Sequence, residues 1–116
     1  MGLSTHVLDT MHGCPAAAMA VSLYTIEGTQ PQLIRTWVLN TDGRSDGPLL
    51  DNQQLRVGSY RLVFGVKDYF AAKGVVLPEP NFLNQVTIDF GVADVTQHYH
   101  VPLLVSPWSY STYRGS

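Results

Sequence analysis

The sequence predicts an all-β domain, an antiparallel sandwich that carries one short helix. Three observations point there. Short segments alternate apolar and polar residues with a period of two, the signature of half-buried strands. Seven prolines and ten glycines punctuate the 116 residues and separate those segments by turn signals. Only the stretch 68–73 reads as a helix, so the regular strand–helix alternation of a parallel α/β protein is missing. At this length the chain fits a single domain, taken as residues 1–116.

The elements follow in order. Residues 5–9 are extended and β-branched, and they end at the turn-like Met11-His12-Gly13-Cys14-Pro15. In 18–24, Met19, Val21 and Leu23 share one face, with Ala18, Ala20 and Ser22 on the other. Residues 28–31 read as a turn, and 33–39 as the next strand, with Ile34 and Val38 opposite Arg35 and Trp37. Two Asp-Gly signals, Asp42-Gly43 and Asp46-Gly47, mark a polar loop. In 60–66, Tyr60, Leu62, Phe64 and Val66 alternate with Arg61, Val63 and Gly65. A short helix is expected over 68–73, with Asp68 as its cap and Gly74 as its stop. Residues 75–84, with Pro78 and Pro80, form a loop. Val86, Ile88 and Phe90 then mark a strand, 98–105 another, and 109–113 the last. About seven or eight short strands at this spacing suit a sandwich.

Composition narrows the function classes. Charged residues make up 14% of the chain and hydrophobic ones 45%, with a net charge of −2. That charged fraction is low against the usual quarter and predicts surface buried in an oligomer. Without a basic excess, phosphate-backbone binding has no driving force, and a nucleic-acid partner is not expected. No apolar run approaches the ~18 residues of a membrane span. One cysteine, Cys14, can form neither an intrachain disulfide nor a cysteine zinc site, and it is given no role. The chain opens without a basic segment leading into an apolar one, so a cytoplasmic protein is expected.

Strand alternation also sorts the histidines. Tyr99, Val101 and Leu103 share one face of the late strand; His98 and His100 share the other with Pro102 and Leu104. In the first strand, His6 and Leu8 lie opposite Val7. Both strands thus carry imidazoles on a second, partly apolar face, which suits a subunit interface enclosing a polar pocket. A histidine on a strand is ordinarily a satisfied polar residue, and His-x-His supplies two zinc ligands without making a site. Arg44 alone reads as a solvated loop charge, and Asp9, Asp42 and Asp46 as turn and cap residues. Neither a glycine-rich phosphate loop nor a Gly-x-Ser-x-Gly elbow is present.

Four blocks carry a resemblance. Leu3-Ser4-Thr5-His6-Val7-Leu8-Asp9-Thr10 runs on to Gly13-Cys14-Pro15-Ala16. Thr41-Asp42-Gly43-Arg44 precedes Pro48-Leu49-Leu50. His98-Tyr99-His100-Val101-Pro102-Leu103-Leu104-Val105-Ser106-Pro107 leads to Tyr110-Ser111-Thr112-Tyr113-Arg114-Gly115-Ser116. Together, and in order, they resemble the 5-hydroxyisourate hydrolases of the transthyretin-like family. The closing Tyr113-Arg114-Gly115-Ser116 is the block that separates these enzymes from transthyretin, the hormone carrier of the same fold. Phe82-Leu83-Asn84 and the segment 74–80 depart from the family pattern.

The resemblance implies a sandwich of two four-stranded sheets with one short helix. It also implies a homotetramer, a dimer of dimers with the active-site channel at the subunit interface. The implied reaction is hydrolysis of 5-hydroxyisourate, without cofactor or metal. Its implied catalytic residues are His6, Arg44, His100 and Ser116, with Tyr113 and His98 joining His6 and Arg44 in substrate binding. A guanidinium offers forked donors to a developing oxyanion, and an imidazole exchanges protons near neutral pH. The sequence leaves open which histidine is the base. Three other readings stand beside this one: a small-ligand carrier, a zinc hydrolase using His6, His98 and His100, and a module without activity.

Overall fold

A computed structural model describes residues 2–115. Eight strands and one helix follow in chain order: β1 Leu3–Asp9, β2 Cys14–Pro15, β3 Ala20–Glu27, β4 Gln30–Val38, β5 Gly58–Phe64, α1 Val66–Ala72, β6 Val86–Val92, β7 Tyr99–Val105 and β8 Tyr110–Thr112. They form two four-stranded sheets, ordered β2-β1-β7-β8 and β4-β3-β5-β6. The core lies between them. Leu3, Val7, Val21, Leu23, Leu62, Phe64 and Leu103 are fully enclosed there. Each such side chain contributes roughly 1.5–3 kcal/mol of burial.

The period-two reading of the faces holds. Leu3, Thr5, Val7 and Asp9 of β1 point inward, as do Tyr99, Val101, Leu103 and Val105 of β7. The expected antiparallel sandwich forms, and within it one strand pair runs the other way: β1 pairs with β7 in parallel, Ser4 opposite His100 and His6 opposite Pro102. Between these two strands the chain crosses through the whole second sheet, so no hairpin forces them to oppose. Alternation reports which face a residue takes and is blind to strand direction.

One correction and one addition concern local structure. The helix begins at Val66, and Asp68 does not cap it; Gly65 stands at the cap position without a side-chain bond. Seven residues cannot hold a helix alone. Burial of Val66, Tyr69 and Phe70, an i, i+3, i+4 stripe, holds this one. In β4 the pairing with β3 slips at Leu23/Tyr24, leaving Ile34 without an opposite partner. The bulge sits on the edge strand of its sheet, where Leu33, Ile34 and Val38 are exposed.

Candidate active site

The parallel pairing of β1 with β7 builds the site. Ser4, His6 and Leu8 fall on the outer face of β1, beside His100, Pro102 and Leu104 on β7. The Ser4 hydroxyl lies 2.8 Å from His100 Nδ1 and 3.2 Å from His98 Nε2. The two rings are nearly parallel, at 13°, with centroids 6.4 Å apart. With Nδ1 held by Ser4, Nε2 is the nitrogen of His100 that meets no partner among the described residues.

A loop delivers Arg44 to the same place. Gly43 has φ +71°, and its carbonyl accepts the Val7 N–H at 2.9 Å. A Cβ at this position would stand 2.4 Å from the Val7 carbonyl oxygen, so only glycine allows the loop this close to β1. Asn40 fixes the loop from inside. Its Oδ1 accepts the N–H groups of Asp42 and Arg44, and its Nδ2 donates to Asp46. Arg44 itself is exposed. A cleft of about 320 Å³ opens here, lined by residues that include Ser4, Arg44, Ser45, Pro48 and His98. That volume is at the small end of ligand pockets.

The tail closes the other flank. The Gly115 N–H donates to the His100 carbonyl at 2.8 Å. A Cβ on Gly115 would meet His100 Cδ2 at 2.7 Å, so glycine lets the ring lie against the tail. Arg114 anchors this segment: it donates to Gln97 Oε1 and the His98 carbonyl, and its guanidinium lies 4.2 Å from the Tyr99 ring centroid. Extending the β7–β8 register from Leu103↔Thr112 to His100↔Gly115 puts Tyr113 opposite Pro102, on the histidine face, with its side chain 62% exposed. Ser116 lies outside the described residues.

Electrostatics mark the cluster. Burial pushes His6 below the ordinary imidazole value and the Arg44 charge adds to that; the Asp42 main chain and carboxylate offset part of it. Burial likewise lowers His100, followed by Arg44, His98 and His6, with the Ser4 main chain opposing. Arg44, His6, His98 and His100 therefore form one interacting group. Both shifted imidazoles favour the neutral form, which a proton acceptor needs. Among the described residues, no three His, Cys, Asp or Glu side chains come together as a metal cage.

The fourth histidine is built differently. His12 donates from Nδ1 to Asp9 Oδ2 at 2.6 Å, and its N–H donates to Asp9 Oδ1 at 2.9 Å. Tyr69, from α1, donates to the same carboxylate at 2.8 Å. Asp9 does serve its turn, as the sequence predicts, but it is also buried and ties the helix to β1. Cys14, whose pairing with Asp9 places it in β2, lies against Tyr69. A larger surface cleft, about 450 Å³, lies elsewhere, between Ile34, Arg56 and Tyr60. Two of its polar side chains are engaged within the chain: Arg56 donates to the Gln53 and Leu55 carbonyls and Tyr60 to the Arg56 carbonyl.

Sequence reasoning missed Ser4, Asn40 and the buried role of Asp9. The signal for Ser4 was available: two residues before His6, it shares that face. Asn40 gave none, since its bonds form only once the loop has closed.

Residues 3–115 match the model of the HIUase/Transthyretin family. A protein named 5-hydroxyisourate hydrolase from Pseudomonas aeruginosa is 56% identical over 114 residues, covering 98% of this chain and 90% of that one. Among solved structures, an (S)-allantoin synthase superimposes with a TM-score of 0.92 at 44% identity; the match covers 99% of this chain and 43% of that longer one. Sea bream transthyretin, solved in complex with thyroxine, superimposes with a TM-score of 0.88 at 27% identity, covering 99% and 95%. With the match running from β1 to the tail that holds His100, the chain belongs to the HIUase/transthyretin family.

Proposed function

We propose that the protein hydrolyses 5-hydroxyisourate, opening its six-membered ring to give 2-oxo-4-hydroxy-4-carboxy-5-ureidoimidazoline. One observation carries the reading. The cluster of His6, His98, His100 and Arg44 combines a fixed positive charge with two imidazoles, His6 and His100, that burial and that charge push towards the neutral form. Hydrolysis of a cyclic amide needs those two elements, a proton acceptor for water and a donor for the oxyanion.

In this reading, His100 Nε2 takes a proton from water as the oxygen adds to a ring carbonyl. The Arg44 guanidinium holds the developing oxyanion through its forked donors. The carbon–nitrogen bond then breaks and the leaving nitrogen recovers the proton. His6 orients the water, His98 and Tyr113 contact the planar substrate, and Ser116 contributes its hydroxyl. No metal enters the scheme. Identity of 56% to a named hydrolase against 27% to a thyroxine-binding transthyretin supports the enzyme over a carrier.

We place the reaction in a homotetramer in the cytoplasm. The outer face of β1 and β7 mixes Leu8, Pro102 and Leu104 with the histidines, and only 14% of the chain is charged. Among the described residues, no helix is long and apolar enough to cross a membrane. Decay of the absorbance of freshly generated 5-hydroxyisourate, corrected for its spontaneous loss, tests the activity; decay at the uncatalysed rate would remove the proposal. Sedimentation tests the assembly: a fully active monomer at micromolar concentration would exclude the tetramer.

A further inference from the structure

We propose that Ser4 is a positioning residue that couples His98 to His100, its hydroxyl holding both rings in the same tautomer and passing a proton between them. What the coupling serves rests on the hydrolytic reading above. The coupling itself rests on geometry.

The Ser4 oxygen contacts both rings, His100 through Nδ1 at 2.8 Å and His98 through Nε2 at 3.2 Å. A hydroxyl has one hydrogen to donate. Among the described residues its oxygen meets no third partner, so that hydrogen goes to one ring and the other ring must donate back. Two neutral arrangements satisfy this. Either both rings carry hydrogen on Nδ1, and His100 donates to Ser4 while Ser4 donates to His98. Or both carry it on Nε2, and every bond runs the other way.

Among the described residues, nothing else locks His98 in one of these states. Its Nδ1 is buried and meets no partner among the described residues. The contrast is His12, whose Nδ1 is fixed by the Asp9 carboxylate. Ser4 itself is held firmly. It lies opposite His100 in the β1–β7 register, between Leu3, which is fully enclosed, and Thr5, whose hydroxyl donates to the Val101 carbonyl at 2.7 Å. The hydroxyl is thus placed by backbone pairing.

The proton path balances. With both rings in the Nδ1–H state, His100 Nε2 has a lone pair and accepts a proton from water; the electron pair of the broken O–H bond stays with the attacking oxygen. The Nδ1 proton of His100 then moves to Ser4 Oγ as the hydroxyl proton moves to His98 Nε2. His98 is now the cation, and His100 is neutral with hydrogen on Nε2. That hydrogen passes to the leaving ring nitrogen, and the surplus proton on His98 returns through Ser4 to His100 Nδ1, restoring the start. The relay relieves a ring that burial and the neighbouring Arg44, His98 and His6 make a poor place for charge.

Ring-nitrogen NMR on the wild-type protein at neutral pH tests this without any activity assay. The expected result is a shared tautomer for His98 and His100, and two linked macroscopic titration steps. Rings in opposite tautomers, titrating independently, would overturn the proposal. In Ser4→Ala the two titrations are expected to separate, while kcat falls about 10–100-fold, as loss of an orienting partner does elsewhere, and KM stays close to wild type. Ser4→Thr is expected to restore most of the loss, because it keeps the hydroxyl on a residue that suits a strand. Full kcat in Ser4→Ala, or unchanged coupling of the rings, would equally overturn it. Failure of the hydrolytic reading would be seen separately, as wild-type protein that leaves the substrate's decay unchanged.

Discussion

Strand β1 carries two histidine systems, and they are opposites. At its far end the Asp9 carboxylate gathers the His12 ring, the His12 N–H and the Tyr69 hydroxyl. Near its start, His6 stands beside His98 and His100 around Ser4 and Arg44. Among the described residues, His12 is the imidazole within salt-bridge distance of a carboxylate. A carboxylate partner fixes an imidazole and supports its charged form; a guanidinium neighbour does the reverse. The first system fastens α1 and the β1–β2 turn to the sandwich. The second pushes His6 and His100 towards the neutral form, in which an imidazole can accept a proton. Histidine content says little by itself; the charge beside each ring decides whether it is a fastener or a reagent.

Removing the charge that defines the open cluster has the largest expected effect. Arg44→Ala is expected to lower turnover about 10²–10³-fold, the usual cost of losing an oxyanion donor. Arg44→Lys is expected to recover only part of that, since an ammonium lacks the planar fork. Steady-state rates on freshly generated substrate check both. A near-normal rate in Arg44→Ala would take Arg44 out of the reaction.

Gly115→Ala breaks the cluster by displacing a ring. The new methyl would sit 2.7 Å from His100 Cδ2. Misplacement of a reacting group by about 1 Å costs up to about 10²-fold in rate. A kcat drop of that order, with the melting temperature close to wild type, is the expected pair of results. Unchanged kcat would mean that the His100 ring is not held against the tail.

Asp9→Ala sharpens the comparison from the other side. It leaves the Tyr69 hydroxyl without its acceptor in the interior, at a cost of about 1–3 kcal/mol. Denaturant unfolding is expected to show that loss, while turnover per folded molecule stays near wild type. The two systems also separate by pH. Burial alone would raise the Asp9 carboxyl, but the His12 N–H, the Tyr69 hydroxyl and the His12 ring hold it below its ordinary value. Its stabilisation is therefore complete above about pH 4 and is lost as pH falls through the lowered value. His6 and His100 are lowered as well, so the folded cluster takes up protons later than the unfolded chain does. The acid limb of activity is then expected below the ordinary imidazole value of 6.5. A limb above that value would contradict the electrostatic account.

Much of this was legible beforehand, and unevenly so. Period-two alternation put His6, His98 and His100 on a second face away from the core, while Asp9, which the structure turns inward with Val7, was read as a turn residue. Asp9 reads as a turn residue because its bond to His12 is local, while its bond to Tyr69 spans 60 residues. Ser4 was on the right face, but serine on a strand is unremarkable until the parallel register sets it opposite His100. Arg44 came from a motif; the reason it reaches the cluster is the Gly43 carbonyl accepting from Val7, a contact between distant segments. Local pattern fixes faces, and long-range register decides which residues on a face can meet.

The smallest expected effect is that of metal removal. In the proposed reaction Arg44 supplies the positive charge and His100 the proton acceptor, so exhaustive chelation is expected to leave the rate unchanged or slightly higher. Added zinc is expected to inhibit by occupying imidazole nitrogens. Activity lost with chelator and restored by stoichiometric zinc would replace this account with a metal-dependent one.

The most direct measurement sets the two systems against each other in one assay. His100→Asn and His12→Asn each remove one imidazole, and the decay of 5-hydroxyisourate absorbance is followed with each variant and with wild type. Loss of a general base costs about 10²–10⁴-fold, and His100→Asn is expected to fall in that range. His12→Asn is expected to turn over substrate within about twofold of wild type and to melt earlier, having lost hydrogen-bond strength at Asp9. Near-normal turnover in His100→Asn, or an equal collapse in His12→Asn without unfolding, would contradict the division of β1 into a reagent and a fastener.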